Sequence, residues 1–170
     1  MNDKYCLTNI TLHGSQKPEK NSAVMVRSGK IDYIGPAPIQ HGSDNVHVID
    51  CSGLHLLPGF IDLQINGGFG HDFTDDPDSI WEVGSELPKY GVTSFLPTII
   101  TAPPEKIKAA QNKILIGPPA GYRGAEAPGL HIEGPFLNPL KKGAHNPAHL
   151  QIPDPQLYES FSPDSGIRLV

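Results

Sequence analysis

Three clusters in this 170-residue sequence combine residue types that can hold a cation or an anion. The first is His131-Ile132-Glu133-Gly134-Pro135-Phe136. A carboxylate followed by Gly-Pro is poorly explained by packing, because its charge must be solvated, paired or bound to a cation. His131 and Glu133 share a face at period two, and both residue types ligate zinc. On the residues alone, Glu133 is a metal ligand or one half of a surface ion pair, and His131 is a ligand or a hydrogen-bonded interior histidine. The second cluster, Lys141-Lys142-Gly143-Ala144-His145-Asn146-Pro147-Ala148-His149, places two lysines and two histidines in one loop. It could meet an anionic ligand or form a solvated basic turn. The third is Gln64-Ile65-Asn66-Gly67-Gly68-Phe69-Gly70. Alternation puts Gln64 and Asn66 on one face, where two amides could project together. The glycines behind them allow a tight turn and close backbone approach, and their spacing is no phosphate-binding fingerprint.

Each cluster follows an apolar run that reads as a strand. Leu56 to Leu63 is nearly continuous apolar sequence, which suits a strand buried on both faces. Asp76-Pro77 then opens a helix through Tyr90, with Asp76 as N-cap, Pro77 in the first turn and Gly91 as the stop. Ile80, Val83, Gly84 and Leu87 give it an apolar face, and Pro88 should distort its last turn. Val92 to Leu96 is the next strand. A helix follows from about Pro103 to Ile116, with Ile107, Ala110, Ile114 and Leu115 at helical spacing. Leu130-His131-Ile132 is another strand, and Ile167 to Val170 closes the sequence as one more. Strand, helix, strand, helix, strand predicts a parallel α/β architecture, and functional groups just beyond strand ends suit an α/β barrel. A buried central strand at the end lacks neighbours, so the sequence reads as truncated.

The first fifty residues differ in character. Tyr5 to Leu12 alternates weakly. Ala23 to Val26 and Ile31 to Ile34 bracket the turn Arg27-Ser28-Gly29-Lys30, a hairpin signal with glycine where positive φ is needed. Gly35-Pro36-Ala37-Pro38 ends the hairpin, and Val46 to Asp50 supplies another strand. Strands this short make one face of a small sandwich. The expected division is therefore residues 1–55 as part of a β-sandwich and residues 56–170 as the first strands and helices of a barrel.

Composition narrows the function classes. Eighteen glycines and eighteen prolines make a turn-rich chain, while the recurring apolar runs argue against disorder. Net charge is −5 with the basic residues scattered, which disfavours a nucleic-acid backbone or an anionic membrane surface as partner. Cys6 and Cys51 belong to no CxxC pattern and read as separate reduced thiols. No signal peptide or bilayer-length apolar run is evident, so the expected location is cytoplasmic.

Together the clusters carry a resemblance. Leu57-Pro58-Gly59-Phe60-Ile61-Asp62 resembles the first barrel strand of the amidohydrolase superfamily, in which PGFID commonly precedes a metal-binding HxH. Here Gln64 and Asn66 stand at the two histidine positions. That departure is similar to the N-acetylglucosamine-6-phosphate deacetylase family, as are Gly91-Val92-Thr93-Ser94-Phe95-Leu96-Pro97-Thr98, Gly129 to Phe136, and Lys142-Gly143-Ala144-His145. The resemblance is strong over roughly residues 50–150.

It implies an α/β fold, the N-terminal portion of a (β/α)8 TIM-like barrel preceded by part of a small β-sandwich. The implied activity is hydrolysis of the acetamide of N-acetylglucosamine 6-phosphate to glucosamine 6-phosphate and acetate. The implied cofactor is one divalent metal ion, zinc foremost, with iron, manganese or cobalt as alternatives. Glu133 matches the family's metal ligand, Ala144 and His145 match its phosphate contact, and Gln64 and Asn66 mark a second position left vacant or held by water. The catalytic aspartate and two histidine ligands of the family have no match in this chain, and neither Asp62 nor Asp72 stands at the aspartate's position. Family members are expected to be homodimers. Two other readings remain: a non-catalytic fragment that binds sugar phosphate or dimerises, and a cyclic amidohydrolase of the dihydropyrimidinase type. The latter should show HxH where Gln64 and Asn66 stand.

Overall fold

The computed structural model describes residues 4–14, 17–36 and 46–170, so the expected turn at Ala37-Pro38 lies outside the described residues. Two compact units, Met1–Pro58 and Gly59–Val170, divide the chain.

The first unit is a sheet of strands β1 (Lys4–Leu12), β2 (Glu19–Arg27), β3 (Lys30–Pro36), β4 (His47–Asp50) and β5 (His55–Leu56). Its order is β3-β2-β1-β4, with β5 pairing further along β1. The β2–β3 hairpin turns as its sequence requires: Ser28 and Gly29 both take positive φ, at 50° and 72°, which suits the right-handed twist of the flanking strands. Asn9, at φ 58°, marks a shift in register along β1. Its side chain donates to Asp50 Oδ1 at 3.0 Å, and that bond, with two from Ser52, holds the Asp50 carboxyl below its usual range. Cys6 and Cys51 are buried free thiols. Burial first, and Cys51 second, push the Cys6 thiol above its ordinary value.

The second unit carries the clusters. Strand β6 (Phe60–Ile65) leads through a small hairpin, β7 (Gly67–Gly68) and β8 (His71–Asp72), to helix α1 (Ile80–Glu86) and strand β9 (Val92–Ile100). Helix α2 (Pro104–Ile116) leads to β10 (Leu130–Glu133), and helix α3 (Pro155–Ser160) to β11 (Ile167–Leu169). The four long-range strands form a sheet ordered β11-β10-β9-β6, parallel throughout. Each pairs with the next of the series in the chain and a helix lies in each crossover. Phe95, Ile99, Leu130, Ile132 and Ile167 pack from this sheet against Ile80, Val83 and Ile107 of the helices.

Four expectations need correction. Strand β6 forms, yet it is not buried on both faces: Phe60, Ile61 and Leu63 are 62%, 69% and 56% exposed. It lies at the sheet edge, where among the described residues no further strand covers its open side. The helix expected from Pro77 to Tyr90 is divided into a 3-10 turn at Pro77–Ser79, α1, and a second 3-10 turn at Leu87–Tyr90 that ends at Gly91, φ 82°. Pro88 removes the backbone donor that would continue the helical ladder. Asp76 makes no side-chain cap; its carboxylate faces His71 Nδ1 at 3.3 Å instead. Leu115 is exposed rather than part of the buried face of α2. Among the described residues no helix is long and apolar enough to cross a membrane.

Phe95→Ala removes a ring that is 1% exposed from the centre of the second unit. It should cost about 3–5 kcal/mol of stability, read by urea unfolding. A second expectation concerns pH. Because the folded state holds the Cys6 thiol neutral, stability of the first unit should be complete below the ordinary thiol value and decline as pH rises past about 9. Cys6→Ala should flatten that alkaline slope in thermal unfolding.

Candidate functional site

The ends of β6 and β10 and the loop after β10 surround one open cleft of about 510 Å³. Gln64, Asn66, Glu133, Ala144 and His145 all line it, together with Lys141 and Lys142. Side chains separated by as many as eighty residues in the chain are thus brought to one place.

Strand β10 sets the carboxylate. Leu130 and Ile132 point into the core, so His131 and Glu133 share the opposite face. Glu133 is the last residue of the strand, opposite Ile100 of β9, and its side chain remains 31% exposed. Asn66 follows the end of β6. Its carbonyl accepts from Phe73 N at 2.9 Å, which ties it to the segment after the β7–β8 hairpin. Gly67 lets that hairpin close, because a Cβ there would stand 2.0 Å from the His71 carbonyl oxygen. Held in this way, Asn66 Nδ2 donates to Glu133 Oε2 at 3.3 Å.

The other oxygen meets the basic loop. His145 Nε2 lies 3.5 Å from Glu133 Oε1, and its side chain is 10% exposed. The far side of the ring is fixed by Thr101: the Thr101 backbone N–H points at His145 Nδ1, with the heavy atoms 3.3 Å apart, and the Thr101 hydroxyl lies 2.8 Å from the same nitrogen. A backbone N–H can only donate, so Nδ1 accepts and the neutral ring carries its hydrogen on Nε2, facing the carboxylate. The Thr101 hydroxyl also lies 3.3 Å from the Glu133 carbonyl oxygen. Gly134 makes room for it; a Cβ at that residue, whose φ is 97°, would stand 2.1 Å from Thr101 Oγ1. Lys142 turns inward, donating to the carbonyls of Gly143 and His145 at 3.2 and 3.0 Å. Its charge holds the shape of the loop carrying Ala144 and His145.

The remaining candidates stand apart from the cleft. His131 Nδ1 lies 3.3 Å from the hydroxyl of buried Thr98, the interior hydrogen bond that was one of its two readings. The carboxylates of Asp62 and Asp72 accept from the backbone of Gln64 and Thr74. Thr101 and Leu137 had not been singled out by residue type. Thr101 had one available signal, its position one residue past the end of a core strand.

No protein-family model matches the chain. Curated relatives do. Over 129 residues the chain is 40% identical to the N-acetylglucosamine-6-phosphate deacetylase of Homo sapiens, covering 71% of this chain and 31% of the relative. Over 157 residues it is 37% identical to the Haemophilus influenzae protein of the same name, covering 91% of this chain and 40% of the relative. Among solved structures, N-acetylglucosamine-6-phosphate deacetylase from Pasteurella multocida superposes with a TM-score of 0.81 at 30% identity, over 96% of this chain and 43% of that one. The chain spans less than half the length of these relatives.

The geometry around His145 makes a direct prediction. Long-range nitrogen NMR near neutral pH should show this ring as the Nε2–H tautomer, and a predominant Nδ1–H form would contradict the Thr101 contact.

Proposed function

Given that the chain belongs to the N-acetylglucosamine-6-phosphate deacetylase family, we propose that its cleft is part of the centre that hydrolyses the acetamide of N-acetylglucosamine 6-phosphate. The products are glucosamine 6-phosphate and acetate. One observation carries the reading: Glu133 and the Ala144-His145 pair open into the same cavity, a cation-binding group beside a basic loop.

The donor chemistry fits one edge of a divalent ion's shell. Each Glu133 oxygen meets one neighbour, Asn66 at 3.3 Å or His145 at 3.5 Å, and as each oxygen has two lone pairs, one on each remains for a cation. Among the described residues, no group of three or more His, Cys, Asp or Glu side chains converges to hold a metal. Glu133 would therefore hold the ion without closing its shell. When bound, a divalent ion such as zinc polarises the acetyl carbonyl and makes hydroxide available near neutral pH.

The chain's own residues supply the rest. Asn66 orients the second oxygen of Glu133, as outer partners of metal ligands do. Gln64 and Asn66 border the position that a second ion would take, and amides are poor competitors for it beside imidazole or carboxylate. Ala144 and His145, with Lys141 nearby, contact the sugar phosphate substrate in the same cavity as Glu133. Among the described residues, no carboxylate other than Glu133 lines the cleft to act as a base, and Glu133 is committed to the ion. These 170 residues alone are thus proposed to bind without turning over. The unbroken parallel winding of β6, β9, β10 and β11 supports the further proposal that the second unit is the opening part of a (β/α)8 barrel, since an open doubly wound sheet would reverse its strand order.

The purified chain should release no acetate from N-acetylglucosamine 6-phosphate, with or without zinc. Sustained turnover would refute the proposed incompleteness. Zinc-induced NMR shifts around Gly134 should vanish in Glu133→Gln, and their persistence would remove Glu133 from the ligand set.

A further inference from the structure

A second pair of metal-ligating side chains lies in the first unit. His13 Nε2 and His55 Nδ1 are 2.6 Å apart, and their ring centroids are separated by 4.9 Å. The backbone places them. In the parallel pairing of β1 and β5, Thr11 lies opposite His55 and Leu12 opposite Leu56. His13 is two residues beyond Thr11, so period two returns its side chain to the face that His55 occupies. The Thr11 N–H donates to Leu54 O and the His13 N–H to Leu56 O, at 3.0 and 2.9 Å, so the register is held on both sides of the pair.

Two neutral imidazoles at this separation share one hydrogen along the N···N line. One nitrogen donates it and the other accepts with its lone pair. If the donating ring carries its hydrogen on its other nitrogen instead, both rings stay neutral and both facing nitrogens offer a lone pair to a divalent cation. We propose that His13 and His55 form a surface chelate for a borderline divalent transition cation, Zn²⁺, Ni²⁺ or Cu²⁺. Imidazole suits these ions, whereas oxygen donors suit magnesium or calcium. At zinc–nitrogen bond lengths and a tetrahedral angle, the two nitrogens would stand about 3.3 Å apart. The rings now meet nearly head-on, with nitrogens 2.6 Å and centroids 4.9 Å apart, so each would rotate as the nitrogens separate, which their exposed position permits. Water completes the shell, and the bound ion joins β1 to β5. Its ligands are distinct from Glu133, and the inference does not rest on the deacetylase reading.

The test is zinc titration of tag-free chain carrying Glu133→Gln, followed by calorimetry and by nitrogen shifts of the histidine rings. One ion should bind per chain, moving the His13 Nε2 and His55 Nδ1 resonances ahead of every other histidine. Introducing His13→Gln or His55→Gln should each weaken binding about tenfold or more, because either change leaves one imidazole of the pair. Binding that survives both substitutions, that depends on only one of them, or that leaves these two resonances unmoved would overturn the proposal, as would no binding at all. The ring shifts of the protein with both histidines intact keep the test decisive even where a substituted chain folds poorly.

Discussion

Parallel pairing of β10 with β9 is the constraint on which the cleft depends. With Ile132 opposite Ile99 and Glu133 opposite Ile100, burial of the two isoleucines decides where the carboxylate points. Ile99 and Ile132 are almost wholly excluded from solvent. A slip of one residue would turn Glu133 into the core and Ile132 out of it, exchanging a solvated charge for a buried one. Apolar packing therefore enforces the polar geometry. The same register brings Thr101, just past the end of β9, beside the carbonyl of Glu133 and the ring of His145. One short segment thereby ties the strand end to the basic loop, although forty-four residues separate Thr101 from His145.

The basic loop shows how a chain of net charge −5 can still present a locally positive surface. Lys142 spends its hydrogen bonds on the carbonyls of its own loop, while the ring of His145 is held between Thr101 and Glu133. Both lysines border the cleft, and Lys142 in addition shapes the loop. Composition alone could not separate these roles. A lysine that organises backbone and a lysine that meets an anion are the same letter, and only the direction of each side chain distinguishes them.

What the sequence revealed follows from how local each signal is. The turn at Ser28-Gly29, the stop at Gly91 and the distortion at Pro88 rest on backbone chemistry carried by the residues themselves, and each was legible. Asp76-Pro77 and Asp154-Pro155 are the same two letters with different outcomes. Asp154 caps α3, accepting from Gln156 N at 3.0 Å, whereas Asp76 turns to His71. Competition from a neighbouring imidazole is invisible in a dipeptide. The exposure of β6 was missed for a related reason, since a continuous apolar run reports what a strand would bury and not whether another element is present to cover it. Gln64, Asn66 and Glu133 were readable as residue types at strand ends, and Ala144 and His145 through the family resemblance of their loop, while the role of Thr101 became apparent only when two loops met.

The exposed edge of β6 and the composition of the cleft have a common physical origin. In a sheet whose successive parallel strands each contribute a side chain or two at the same end, donors accumulate strand by strand. Strand β6 brings the amides Gln64 and Asn66, β9 is followed by Thr101, and β10 brings Glu133 with the loop behind it. Among these groups Glu133 is the one carboxylate of the cleft lining. The apolar side chains of Phe60, Ile61 and Leu63 would gain roughly 25 cal/mol for each Å² removed from water. An element docking along that edge would also lie next to Gln64, on the same strand, and near Asn66 just beyond its end. Any covering of that edge would thus exclude water from apolar side chains and from the border of the cleft together.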